Sequence, residues 1–368
     1  MTSSNASPSS SAPIRLLVAA SGTGGHLFPA IAVAQSLVNP QSAQTQYEIE
    51  WLGVRDRMET QLVPKAYPMH IIPVEGLQSK PSLKTLAILG KFALSFWQTR
   101  QILKRGKFRG VLTTGGYIAA PAILAARSLG LPSVLHESNA IPGKVTRFLS
   151  RWCSAVALGF AAAQPYLPGV KTQVVGTPVR DGFLKASPLD LEIPQEAFVV
   201  VVMGGSQGAL GLNRLVRQCA PLWLQTGLWI VHLTGDLDPD VKTLTHVHYL
   251  EMPFYDNMAG LLQRANLAIS RSGAGTMTEL AITGTPSLLI PYPYAAEDHQ
   301  YFNAKYFVDG GAADVFREKD VSVEQLQDAV LALMRSPQVL HQMATQAKRL
   351  AVPDSTEQFA DIVRQYVR

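Results

Sequence analysis

Charge is what this sequence has little of: 16% of its 368 residues are Asp, Glu, Lys or Arg, against 47% hydrophobic. A chain that long and that apolar can bury the cores of two domains. Cysteine is scarce too. Cys153 and Cys219 both sit in apolar surroundings, which argues against a disulfide framework and predicts a reducing compartment. The opening residues, MTSSNASPSSSA, are Ser-rich and lack an apolar block, so residues 1–13 read as a disordered tail rather than a secretory signal. No run reads as a membrane span. Trp152–Val170 is uncharged but broken by Gln164, Pro165 and Pro168, and Lys91 interrupts the other candidate. A G-x-x-x-x-G-K-[ST] motif is missing, which speaks against an ATPase.

Acidic residues are unevenly missing. Up to Arg180 there are 18 Lys+Arg against 6 Asp+Glu, and beyond it 14 against 21, so the halves carry +12 and −7. Between Gly76 and Arg180 the only acid is Glu137. That asymmetry predicts an anionic partner for the first half.

Apolar runs alternate with helix-like stretches from Ile14 to about Arg180, lapse in a polar, Pro-containing connection at Val179–Pro194, and restart at Phe198. Continuous apolar strands separated by helices imply a parallel sheet covered on both faces. The prediction is an α/β chain of two tandem, doubly wound, Rossmann-like domains, 14–180 and 181–353. A hinge lies between them, and ligands are expected beyond the carboxyl ends of both sheets.

Four glycine-rich loops follow predicted strands. Ala20–His26 resembles a dinucleotide fingerprint but has Leu27 where the third glycine belongs. Thr113–Tyr117, Met203–Gly208 and Ile269–Glu279 are the others. Backbone N–H groups at such helix starts lack partners, and phosphate is their usual occupant. In the last loop Gly273 and Gly275 permit a sharp turn, Arg271 stands two residues before it, and Glu279 lies where a carboxylate takes ribose hydroxyls. Taken alone, the same residues also fit a plain strand–turn–helix junction with Ser272 as N-cap. Four such loops in two domains point to a phosphorylated ligand in the cleft between them.

Pro29 suits a first helical turn. His26, near that helix start, reads either as a neutral imidazole able to take a proton or as a residue packing the loop. Asn139 and Arg180 end strands on the cleft side. Glu137 reads as a structural partner for a nearby Arg ahead of a catalytic acid. Asp298, His299 and Gln300 suit sugar hydroxyls. Asp236-Leu-Asp238 has a cation-binding spacing but reads as a solvated turn, so no metal is expected. Leu77–Arg109 sets large apolar residues among Lys80, Lys84, Lys91, Arg100, Lys104 and Arg105, which suits an anionic bilayer. A helix packed on the sheet accounts for part of the same stretch. The basic residues are not interleaved with stacking aromatics, so nucleic acid is not expected.

In order, S-G-T-G-G-H-x-F-P-A, T-G-G-Y, H-E-S-N, V-G-T-P-V-R, G-G-S-Q-G, S-R-S-G-A-G-T-M-T-E and D-H-Q closely resemble the MurG family of glycosyltransferases. The resemblance runs from about Ile14 to the C-terminus. It implies a GT-B fold with a helix at 354–368 crossing back to the first domain. It also implies inverting transfer of N-acetylglucosamine from UDP-GlcNAc to the 4-hydroxyl of the muramyl sugar of lipid I, with no cofactor, at the cytoplasmic face of the cell membrane.

Carried onto this chain, it puts Thr23, Gly24 and Gly25 near the sugar and phosphates, with Asn139 and Arg180 on the same donor. Ser206 would meet the diphosphate and Tyr255 the uracil. Ala274, Gly275, Thr276, Met277, Thr278 and Glu279 would line phosphates and ribose, with Glu279 on its hydroxyls. Gln300 would read the sugar and His26 would help deprotonate the acceptor. Arg271 either reaches the diphosphate or holds its loop. Ser138 and Thr177 stand where Gln and Asn are expected, beside the proposed contacts. Rival readings are a diacylglycerol galactosyltransferase, a UDP-sugar epimerase and a non-enzymatic UDP-sugar-binding protein.

Overall fold

Short apolar runs such as Val199–Met203 are too brief for helices and too continuous for a half-exposed strand, and they become the centres of two parallel sheets. The computed structural model describes residues 13–39, 46–76, 83–205 and 208–368, with Leu83 and Lys84 described by their backbone alone. In the first sheet β1 is Ile14–Ala19, β2 Tyr47–Gly53, β3 Met69–Ile71 and β4 Gly110–Thr113. It continues with β5 Ser133–Glu137, β6 Ala155–Leu158 and β7 Thr172–Val174. In the second, β8 is Val199–Met203, β9 Trp229–Leu233, β10 Tyr249–Met252, β11 Leu267–Ser270, β12 Ser287–Leu289 and β13 Ala313–Val315.

The sheet orders are β3-β2-β1-β4-β5-β6-β7 and β10-β9-β8-β11-β12-β13, every described strand pairing being parallel. In each sheet the winding reverses between two central strands, β1 and β4 or β8 and β11. The four glycine loops are the ones that leave those four strands. They therefore meet at the switch points, where a doubly wound sheet opens a crevice.

Helices cover both faces. Leu210–Gln225 buries Leu212, Val216, Cys219, Ala220, Trp223 and Leu224 at helical spacing against the second sheet. The last helix, Ser355–Tyr366, packs instead on the helix Gly24–Val38 and on β5 and β6 of the first sheet. Phe359 is fully buried there, its ring 5.1 Å from that of His136. Tyr47 donates its hydroxyl to the Val367 carbonyl at 2.7 Å. The two crossings between the halves run side by side. Ser355 Oγ donates to Thr177 O at 3.1 Å, and a Cβ on Gly176 would stand 2.8 Å from Val352 Cβ.

Two helix starts differ from the sequence reading. The first runs from Gly24, which puts His26 inside it and Pro29 in its second turn rather than its first. Proline there leaves the Gly25 carbonyl without its helical donor. The other runs from Ala274 with Gly273 as N-cap, and Ser272 donates its hydroxyl to Gln300 O at 2.7 Å instead of capping. Glycine is poor inside a helix but costs little at its first positions, where its N–H has no helical partner.

Replacing Phe359 with Ala should remove about 3–5 kcal/mol of stability, because the last helix holds the first sheet through this side chain. Urea denaturation would measure it; a loss below about 1 kcal/mol would show that the helix docks by other contacts.

Candidate active site

Gly273 and Gly275 do not serve the turn. Gly273 has φ −65° and ψ 142°, and Gly275 is helical, so any residue could adopt either conformation. A Cβ on either would meet nothing within 4 Å. The missing side chains leave room on the open side of the loop, facing the cleft. The N–H groups of Ala274, Gly275 and Thr276 open this ten-residue helix and have no partner within it. Opposite stands the start of the helix Gly24–Val38, with Thr23, Gly24 and Gly25 at the mouth. Between the two is a cavity of about 310 Å³, closed further by Phe28, Met203, Leu233, Asp236, Phe254 and Met258.

Arg180, from the segment after β7, reaches across to Glu279 of the second half at 3.4 Å. Its guanidinium lies over the Phe28 ring at 4.5 Å, and its Nε is buried without a protein partner. A cation that keeps a donor unsatisfied in a cleft is suited to an anion. Burial pushes the Glu279 carboxyl up to about 7, against the pull of Arg180. Near neutrality this group is balanced between donor and acceptor of hydrogen bonds.

His26 is fixed by Thr114 at both ends. Its Nδ1 stands 2.7 Å from the Thr114 carbonyl, and Thr114 Oγ donates to the His26 carbonyl at 2.8 Å. A carbonyl oxygen only accepts, so Nδ1 carries the hydrogen, and in the neutral ring Nε2 keeps the lone pair. The ring lies against Gly115 and Gly116 of the second glycine loop. It does not line the described cavity, although its neighbours Gly24 and Gly25 do. The fully buried histidine of the first half, His136, has a different duty. Burial lowers it to about 4, and its Nε2 donates to the Gly176 carbonyl at 2.8 Å, holding the crossing between the halves.

Of the residues singled out from sequence, Thr23, Gly24, Gly25, Arg180, Arg271, Ala274, Gly275, Thr276, Glu279 and Gln300 line the cavity. Others do not. Met277 is fully buried in the core of the second half, because it falls on the helix face turned from the cleft. Thr278 Oγ turns back to the Ala274 carbonyl at 3.0 Å. Tyr255 donates its hydroxyl to Asp190, while its neighbours Pro253 and Phe254 stand at the cavity. Ser206 lies outside the described residues.

Asn139 is drawn away by Glu137 and by Asn303, whose Nδ2 donates to Asn139 Oδ1 at 3.2 Å and to Ser272 O at 3.1 Å. Asn303 Oδ1 also accepts from Ala140 N at 2.8 Å, so this fully buried side chain joins a loop of the first half to a loop of the second. Glu137 takes no arginine. It accepts from the N–H groups of Asn139 and Gly143 at 3.1 Å, the second being the N-cap of the helix Lys144–Leu149.

Arg271 spends its guanidinium on the Ile290 and Pro291 carbonyls at 3.0 and 3.1 Å and on an ion pair with Glu318, which ties the loop down. Asp238 is no solvated turn residue either. It is 8% exposed, pairs with Arg217 at 2.8 Å and accepts from Asn213. Phe28 is the contact that sequence reasoning passed over. An aromatic one turn past a glycine loop gives no signal until Arg180 is brought over it.

The glycosyltransferase family 28 N-terminal domain matches residues 16–158, and the glycosyltransferase family 28 C-terminal domain matches residues 199–365. The chain is 59% identical, over 97% of its length and 99% of the relative's, to a protein of Nostoc sp. That relative is named UDP-N-acetylglucosamine–N-acetylmuramyl-(pentapeptide) pyrophosphoryl-undecaprenol N-acetylglucosamine transferase. Among solved structures, the MurG of Acinetobacter baumannii is 30% identical and superposes with a TM-score of 0.78 over 96% of this chain and all of that one. A putative UDP-N-acetylglucosamine 2-epimerase from Listeria monocytogenes has a TM-score of 0.69 over 95% of each chain. At 14% identity it shares the fold alone.

A carboxyl ¹³C titration should place the midpoint of Glu279 about 7, and Arg180→Gln should move it further up, since the guanidinium favours the charged form. A midpoint in the ordinary carboxylate range would mean that water reaches this carboxyl freely.

Proposed function

The chain belongs to glycosyltransferase family 28, with the MurG enzymes, and from that premise we propose the reaction of its cleft. It transfers N-acetylglucosamine from UDP-GlcNAc to lipid I, giving lipid II. The observation that carries this reading is the 59% identity over nearly the whole of both chains to a relative whose name states donor and acceptor. The GT-B fold alone would serve an epimerase or another sugar transferase equally well.

UDP-GlcNAc lies against the second half, its diphosphate at the N–H groups of Ala274, Gly275 and Thr276, with Arg180 opposite. Glu279 takes the ribose hydroxyls, and the chain around Phe254 and Tyr255 takes the uracil. Gln300, whose Oε1 accepts from Tyr292 N at 2.9 Å, keeps its amide for the sugar. The acceptor enters from the first half, 14–180, completed by the helix of 354–368. Its 4-hydroxyl oxygen attacks C1 of the donor sugar, the C1–oxygen bond to UDP breaks with inversion, and His26 Nε2 takes the hydroxyl proton. The charge that develops on departing UDP meets helix-start N–H groups and Arg180.

The acceptor carries a lipid tail, and the helix Leu83–Arg105 offers a face for the membrane that holds it. Ile88 and Leu103 are buried, while Leu86, Leu89, Leu94 and Trp97 are 46–68% exposed. Arg100, Lys104 and Arg105 share the helix, and Lys91 pairs with Glu75 at 2.5 Å. The side chains of Lys80 and Lys84 lie outside those described. Among the described residues no helix is long and apolar enough to cross a membrane. In this reading the exposed apolar and basic residues of the helix Leu83–Arg105 rest on the anionic, cytoplasmic face of the membrane, and the enzyme works there as a peripheral protein.

Incubation with labelled UDP-GlcNAc or UDP-galactose, and with a lipid I analogue or diacylglycerol, tests the reaction. Transfer from UDP-GlcNAc to the lipid I analogue is expected. Transfer from UDP-galactose alone, or none, would sink the reading. His26→Ala should lower kcat by about 10²–10⁴-fold with little change in donor affinity. Replacing Lys84, Lys91 and Arg100 by Gln should weaken binding to anionic vesicles by about 1 kcal/mol per residue. Undiminished sedimentation with vesicles would refute the membrane face.

A further inference from the structure

Glu59 has no part in the reaction as described, yet it is a fully buried carboxylate in a half with few acids. Its position is unusual in what it accepts. Oε1 takes the Ser21 hydroxyl at 2.5 Å and the Val54 N–H at 2.8 Å; Oε2 takes the Gly22 N–H at 3.2 Å. Ser21 and Gly22 open the glycine loop after β1, and Val54 follows β2. Room for the carboxylate comes from Gly53, where a Cβ would stand 3.1 Å from Glu59 Cγ. Gly22 has φ +106°, a conformation that favours glycine.

We infer that Glu59 is a positioning residue: it fills the rear of the first glycine loop from within the protein, so that this loop presents Gly24 and Gly25 to the cleft and holds the adjoining His26 against Thr114, instead of taking a phosphate itself. A glycine loop leaving a parallel strand ordinarily offers its N–H groups to an anion. Here the protein supplies that anion for Ser21 and Gly22, and a second one would meet its charge. Diphosphate is thereby directed to the glycine loop of the second half, and the first loop is left to hydroxyl groups. The same hydrogen bonds fix the turn from which the helix Gly24–Val38 starts, and with it the His26 ring against Thr114.

This rests on the reading of His26 as proton acceptor, and the test separates the two. Glu59→Gln retains Oε1 for Ser21 and Val54 but turns an NH₂ group toward the Gly22 N–H, so the fold keeps its contacts while the loop loses its anchor. The expected result is a kcat roughly tenfold lower with donor KM within about twofold, and no further loss when Glu59→Gln is added to His26→Ala. Should Glu59→Gln fail to fold, Ser21→Ala carries the same expectation, a lower kcat at unchanged donor KM. Unchanged kcat, or losses that multiply in the double variant, overturns the inference. If His26→Ala alone leaves kcat untouched, the assignment of His26 falls, and the coupling to Glu59 with it.

Discussion

A parallel strand that hands its chain to a helix leaves backbone N–H groups at the helix start with nothing to bond. This chain does so at both of its switch points, and the two starts with open N–H groups, at Gly24 and Ala274, face each other across one cavity. The rest of the site follows from how those donors are satisfied. At Ala274 they are left open, with glycines flanking them so that a ligand can come close. At the first loop Glu59 satisfies the donors at the rear, and only those at the front remain. Two loops of like composition thus acquire different ligands, one by being left empty and the other by being partly filled.

A cleft between two domains is useful only if both walls register one ligand. Among the contacts that tie the walls together are Arg180 with Glu279, Asn303 with Asn139 and Ala140, and Arg147 with Glu297. The first lies in the cavity itself. Burial raises this carboxyl to about 7 against the pull of the guanidinium, and in the proposed reading a diphosphate meets the cation and a ribose the carboxyl. Asn303 is different in kind. Its amide is fully buried and its bonds are all made within the protein, so it holds the relative placement of the loops whether or not a ligand is present.

The first half is basic, at +12, and the second acidic, at −7. The wide apolar arc of Leu83–Arg105 cannot be used up by the sheet beneath it, and its outer residues stand among cations with no acid on the helix. In the proposed reading the lipid-anchored acceptor approaches from the basic half, whose net charge suits an anionic surface.

The strands, the helices of the second half and the tandem α/β architecture follow from local pattern, because a continuous apolar run or a helical stripe of Leu, Val and Trp has few other uses. The chemical kinds of the site residues are legible as well, since glycine, histidine and arginine beside strand ends have a restricted set of roles. What local pattern could not decide is which side of an element each residue faces and what it meets there. Met277 and Thr278 share a motif with Glu279, yet one faces the core and the other its own backbone. Glu137 met amide groups rather than arginine, and Asp238 found Arg217 in what reads as an open turn. Phe28 and Glu59 gained their importance from partners that only the sheet order brings to them. Short-range patterning specifies elements; burial, register and the pairing of distant polar groups belong to the tertiary structure, because those energies exist only once the elements have met.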